Sequence, residues 1–382
     1  MKKALIATSV ASMIDQFNMP NIRLFIELGY EVTVAANFAE CGSITKARAD
    51  ELVKRLKEMG VTVVNTPIPR KISALGGIFK SYRKIKKLSR ANKYDIVHCH
   101  SPIGGAITRL AVRKERKEGQ TKTVYTAHGF HFYKGAPKKN WMLYYPVEKL
   151  CARFTDVLLT INSEDYAFAK EKLRAGRVEY IPGVGIDNES FYALKRMRDE
   201  KKEYFGIPKD APVILSVGEL NSNKNHETVV RALAALENDD AHYVIAGKGD
   251  LFDKLVYLSR SLGVEDRVHL LGYREDVREI YGIADVFAHP SFREGLPVSV
   301  IEAMAAGLPV VASNIRGNVD LIDRDGGVLL QPKDVEGFAE AIDKLIVSYK
   351  TRKDMGAYNC EKAEKYSTSA VVEVLREIYT QE

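Results

Sequence analysis

The chain lacks most of what would staple a small fold or anchor one in a bilayer. Its 382 residues include only four cysteines, Cys41, Cys99, Cys151 and Cys360, far apart and without a CxxC pair. That excludes a disulfide framework and a zinc site and marks them as reduced thiols. No run approaches the ~20 apolar residues that cross a bilayer, so any membrane contact is peripheral. The start, "MKKALIATSVASM", carries an apolar run too short and too mixed for a secretion signal and reads as a first buried strand. There is no short-period repeat and no low-complexity tract. The stretch "AGKGD" lacks the third glycine of a dinucleotide fingerprint, which disfavours an NAD dehydrogenase. An Asp-x-Asp in a suitable loop is also missing, since Asp239 and Asp240 fall in a helix-to-strand connection, so no metal and no other cofactor is expected to be required.

What is present is a twice-repeated α/β pattern. Apolar β-branched runs at 4–9, 31–36, 61–66, 95–100, 123–128, 157–162 and 178–183 alternate with amphipathic helical stretches, the signature of a parallel sheet covered on both faces. The pattern restarts with runs at 213–218, 242–247, 268–272, 286–291, 309–313 and 327–331. Between them lies "GVGIDNESFYALKRMRDEKKEYFGIPKDAP", charged and broken by Gly and Pro, read as a connection holding a short helix. The fold class is therefore α/β, two doubly wound Rossmann-like domains facing across a cleft. The boundaries are 1–185, an acceptor-binding domain, and 186–362, a nucleotide-sugar-binding domain. A terminal helix over 363–382 is expected to pack back towards the first domain.

Within "FREGLPVSVIEAMAAGLPVVAS", residues 292–313, Glu294 sits in a Gly/Pro-rich turn and Glu302 lies eight residues on, in an apolar helix. A buried carboxylate without a partner is costly, so such a helix normally has something for it to bind. With Pro297 as first helical residue, the backbone N–H groups of Leu296, Val298 and Ser299 suit an anion such as a diphosphate. Glu302, about a turn and a half inside, suits the hydroxyls of a ribose. Glu294, at the mouth, suits those of a group beyond the diphosphate. A solvated helix carboxylate and a loop charge fit the same residues.

The string "HPSFREGLPVSVIEAMAAGLPVVAS" resembles the glutamate-seven-residues-glutamate motif of the family 4 glycosyltransferases, which have the two-Rossmann-domain GT-B architecture and retain anomeric configuration. Both carboxylates, Gly295, Leu296, Pro297, Ala303, Met304, Gly307 and Pro309 stand where that family has them. "IPGVGID" is similar to its interdomain loop, "VGELNSNKN" to its phosphate-binding loop, and "YREDVREIYGIADVFAHPS" to its nucleotide-proximal segment. "VHCHSPIGG" with "YTAHGFHFYKGAPKKNWMLYYPVEK" resembles a subgroup that builds glycans on polyprenyl diphosphate. Carried over by position, Glu302 holds the ribose and Glu294 the donor sugar. Gly218 and the backbone of Gly295 to Val298 meet the diphosphate, Lys224 neutralises it, and His128 stands near the reaction centre. Where the family usually has an arginine after the glycine of the phosphate loop, this chain has Glu219. Arg274, before Lys248 and Arg293, is the first candidate for the missing cation.

The resemblance implies transfer of a hexose or N-acetylhexosamine from a UDP-sugar, with retention, to a polyprenyl-diphosphate-linked acceptor. A nucleotide-sugar epimerase of the same fold and a non-catalytic binding protein are the alternatives. The segment 70–93 holds nine cations, among them Lys80, Arg83, Lys84, Lys86 and Lys87, and no acid, with Ile78, Phe79, Tyr82, Ile85 and Leu88 at helical spacing. Such a helix suits the acceptor or an anionic inner membrane surface, which would make the protein cytoplasmic and peripheral. A solvated face over a core stripe fits the same pattern, whereas nucleic acid is not an expected partner, since no recognition motif accompanies the charge. The aromatics Phe130, Phe132, Tyr133, Trp141, Tyr144 and Tyr145 suit either a lipid-linked sugar or the core.

Overall fold

The computed structural model describes residues 1–191 and 198–381, so part of the charged connection, 192–197, lies outside the described residues. The chain forms two compact units, Met1–Gly185 with Ser369–Glu382, and Ile186–Thr368. The first holds a parallel sheet of β1 (Lys3–Val10), β2 (Glu31–Asn37), β3 (Thr62–Asn65), β4 (Ile96–His100), β5 (Lys122–Ala127), β6 (Val157–Thr160) and β7 (Arg177–Tyr180), in the order β3-β2-β1-β4-β5-β6-β7. The second holds β8 (Val213–Val217), β9 (His242–Ala246), β10 (Val268–Gly272), β11 (Val286–His289), β12 (Val310–Ser313) and β13 (Gly327–Leu330), in the order β10-β9-β8-β11-β12-β13. Each strand lies on one of the apolar runs of the sequence. Parallel sheets are covered on both faces, which is why β1, β9 and β12 are buried along nearly their whole length. In each sheet the strand order reverses once, between β1 and β4 and between β8 and β11, and the loops leaving the carboxyl ends part there to open a crevice.

Two local expectations change, at Pro297 and in the terminal helix, while the connection holds a short helix as read. Pro297 is the N-cap and the helix begins at Val298, because Pro297 holds an extended ψ of 114°. The described part of the connection contains a 3-10 turn, Asn188–Phe191, and a helix, Arg198–Tyr204. The continuous helix read over the last residues is instead two: Tyr349–Ala363 runs into a 3-10 turn, Glu364–Tyr366, and Thr368–Thr380 starts afresh after Ser367 turns extended. That final helix packs within the first unit, where Tyr379 stacks on Phe25 at 4.1 Å and Arg376 pairs with Glu27 at 2.8 Å.

The glycines of "SPIGG" make room for the protein itself. A Cβ on Gly105 would lie 2.4 Å from the Tyr125 ring and one on Gly104 2.8 Å from Ser101 Oγ, so helix Pro102–Lys117 can sit directly on the sheet. Tyr125 then donates to Glu148 Oε1 (2.9 Å), whose other oxygen takes Arg109 at 2.8 Å, and the Arg109 guanidinium lies 3.7 Å over the Tyr125 ring. Arg109 has no exposed surface at all, an unusual place for a charge. Glu148→Ala leaves that cation unpaired in the core and is expected to destabilise the first unit by about 3–5 kcal/mol in urea unfolding. Glu148→Gln, which keeps the hydrogen-bonding shape but not the charge, is expected to cost less; equal losses would show that the lost charge accounts for the whole effect.

Candidate active site

The reversal between β8 and β11 brings together residues that are 70 positions apart. Lys224, in the loop after β8, places its Nζ 2.8 Å from Glu294 Oε1, in the loop after β11. His289, the last residue of β11, places Nε2 at 3.2 Å from the same oxygen. Burial opposes ionisation of Glu294, but the Lys224 ammonium and then His289 outweigh it and hold the carboxyl well below its usual range. His289 is also pushed down, chiefly by burial and, against the pull of Glu294, by the Lys224 charge, so it is a neutral donor to Glu294. Gly218 packs beside this pair: a Cβ there would lie 3.1 Å from the Lys224 chain.

Gly295, Leu296, Pro297 and Val298 continue from Glu294 into helix Val298–Ala305, whose first turn takes no side-chain cap. Close packing fixes the entry: Gly317, at φ +83°, approaches so near that a Cβ would sit 2.4 Å from the Gly295 carbonyl. Next to it, Arg316 is 9% exposed and its Nε donates to the Glu294 carbonyl at 3.1 Å. The sequence reading missed Arg316; its signal was an arginine directly before the one glycine of "SNIRGNVD".

Glu302 faces helix Val277–Ile283, where Tyr281, 1% exposed, places its hydroxyl 2.9 Å from Oε2 and 3.0 Å from the Ser299 carbonyl. Burial pushes the Glu302 carboxyl up to about 7, against the pull of Tyr281 and then Arg278. Its one hydroxyl proton is shared between the Glu302 carboxyl and the Ser299 carbonyl.

Arg274 is not with these groups. Its guanidinium forks onto Asp276 at 2.8 and 2.6 Å and lies over Phe205, so its charge is already matched. Glu219 is exposed and accepts from Asn221, while Lys248 and Arg293 are exposed.

In the first unit His128 follows β5 directly, its Nε2 3.1 Å from His100 Nδ1. Phe130, Phe132, Trp141, Tyr145 and Phe168 pack on one another, which makes most of the aromatic run core. Lys80, Arg83, Lys84, Lys86 and Lys87 lie on helix Leu75–Asn92, which buries Ser81, Ile85 and Ser89 and leaves Leu75 and Phe79 exposed. Among the described residues no group of three or more His, Cys, Asp or Glu is placed to hold a metal ion, and no helix is long and apolar enough to cross a membrane.

Residues 197–362 match the profile of "Glycosyl transferases group 1" and residues 30–162 that of "Glycosyl transferase 4-like". The Bacillus subtilis protein EpsD is 36% identical over 384 residues, covering 99% of this chain and 96% of that one. An Escherichia coli UDP-Gal:alpha-D-GlcNAc-diphosphoundecaprenol alpha-1,3-galactosyltransferase is 33% identical over 274 residues, covering 70% of each chain. Among solved structures, Anabaena HepE with UDP and glucose superposes over 100% of both chains at a TM-score of 0.80 and 18% identity, a likeness of fold. With both profiles matched and a relative of that identity along nearly its whole length, the chain belongs to the GT-B glycosyltransferases of the family 4 type.

Proposed function

We propose that the chain moves a hexose or N-acetylhexosamine from a UDP-sugar, with retention and without a metal, to a sugar carried on polyprenyl diphosphate. The observation that carries this reading is the pairing of a fixed anion, Glu294, with Lys224 at the mouth of an uncapped helix. The relative that acts on a diphosphoundecaprenol-linked sugar supports the acceptor class. Glu302 takes the ribose hydroxyls. The first-turn N–H groups and Lys224 hold the diphosphate, with Arg316 as the second cation in place of the one lost at Glu219. Glu294, ionised, accepts from hydroxyls of the donor sugar. In the reaction the bond from the anomeric carbon to the diphosphate oxygen breaks as the bond to the acceptor oxygen forms. The acceptor proton passes to a phosphate oxygen, so UDP leaves protonated and no side chain needs to act as base. Negative charge grows on the leaving group, where fixed donors contribute most.

Residues from two helices extend the basic surface of the first unit. A groove of about 640 Å³ beside helix Leu75–Asn92 is lined by Lys86 and Arg90 and, from helix Pro102–Lys117, by Arg113, Lys114, Arg116 and Lys117. We assign this face to anionic lipid on the inner side of the cell membrane.

Three measurements check the reading. A ribose diol needs the Glu302 carboxylate as acceptor, so UDP affinity is expected to weaken as pH falls below about 7, approaching tenfold per pH unit, in titration calorimetry. Glu302→Gln is expected to bind weakly and without that slope, and a sloping profile in the variant would assign the titration elsewhere. Lys224→Ala is expected to lower kcat about 100-fold with a UDP-sugar and a lipid-linked acceptor, as loss of one leaving-group donor does; an unchanged kcat would remove Lys224 from the leaving-group site. Reversing Lys80, Arg83 and Lys87 to Glu is expected to weaken sedimentation with phosphatidylglycerol vesicles at least about 100-fold, and undiminished sedimentation would leave this helix a solvated face.

A further inference from the structure

Three histidines gather at the carboxyl end of the first sheet. His98 and His100 share one face of β4, their rings 4.2 Å apart, and His128 lies just past β5. His98 is fixed from both sides. The Tyr379 hydroxyl lies 2.6 Å from its Nδ1 and Thr126 Oγ1 lies 2.8 Å from its Nε2. Both partners are hydroxyls that can donate or accept, so the ring is held whichever nitrogen carries its proton.

His100 has one partner and one orphan. Its Nδ1 meets His128 Nε2 at 3.1 Å, whereas its Nε2 is buried without a partner among the described residues. One imidazole has to donate. If His128 gave Nε2–H, His100 would carry its own proton on Nε2, a buried N–H with nothing to accept it. If His100 gives Nδ1–H, the orphan is only a lone pair, and buried orphan donors are the rarer and costlier kind. We infer that His100 is a positioning residue that holds His128 in its Nδ1–H tautomer, so that the open nitrogen of His128 presents a hydrogen-bond donor. That nitrogen has no partner among the described residues and is not among the buried orphans. Burial keeps both rings neutral, bringing His128 to about 4 and His100 well below its usual value, with the neighbouring histidines adding to the effect on His100.

The consequence, which rests on the transfer reading, is that neutral His128 offers a hydrogen-bond donor to a ligand oxygen at the carboxyl end of the first sheet and takes no proton there. The acceptor proton is left to the departing phosphate. The tautomer itself is read on the ligand-free chain by two-bond proton–nitrogen correlation spectra of protein labelled with 15N-histidine, with the His128 signals assigned from His128→Asn. The wild type is expected to show His128 protonated at Nδ1. His100→Asn, whose amide nitrogen falls where Nδ1 was, is expected to keep that pattern, and His100→Leu to lose it. A wild-type His128 protonated at Nε2, or an unchanged pattern in His100→Leu, overturns the inference. Failure of sugar transfer would leave these spectra as they are, so the two readings fail separately.

Discussion

The geometry at the carboxyl end of the second sheet depends on keeping one carboxylate charged where water is scarce. Glu294 would take up a proton in that position but for the ammonium of Lys224 and the imidazole of His289 against a single oxygen. Because Lys224 leaves β8 and Glu294 leaves β11, the pair ties two loops that otherwise part company at the strand reversal. Arg316 fastens the backbone of the same residue from a third loop. The mouth of helix Val298–Ala305 is thus formed before any ligand arrives, which lowers the ordering that binding must supply.

The two glutamates of one short motif are driven in opposite directions by their neighbours. Glu294 has two cationic or donating partners and stays ionised; Glu302 has a tyrosine and burial, and holds its proton near neutrality. Sequence spacing placed both on the rim of one helix, yet their charge states come from Lys224, His289 and Tyr281, which lie elsewhere in the chain.

That contrast explains what was legible. The thirteen strands of the described residues were readable because parallel sheets demand continuous apolar runs, and the motif around Glu294 because glycine, proline and two acids stand at fixed intervals. Arg316 was not readable, since its role comes from the close approach of Gly317 to Gly295, a contact between distant segments. Arg274 looked available in sequence, and only the fold shows it committed to Asp276 two residues on. The buried Arg109 was invisible for the same reason: it counts as one more surface cation until Glu148, 39 residues away, is seen beside it. The aromatic run after His128 was ambiguous because the same rings suit a sugar or a core, and packing of Phe130, Phe132, Trp141 and Tyr145 decides for the core.

Tyr379, which fixes His98, lies in a helix that joins the first unit after the whole second unit has been spelled out. On the ribosome the first sheet therefore emerges early with Thr126 on His98 but without Tyr379, and it waits through nearly two hundred further residues for that second partner. Completion of the second unit precedes completion of the first, so a chain cut short after its second unit lacks the tyrosine beside His98.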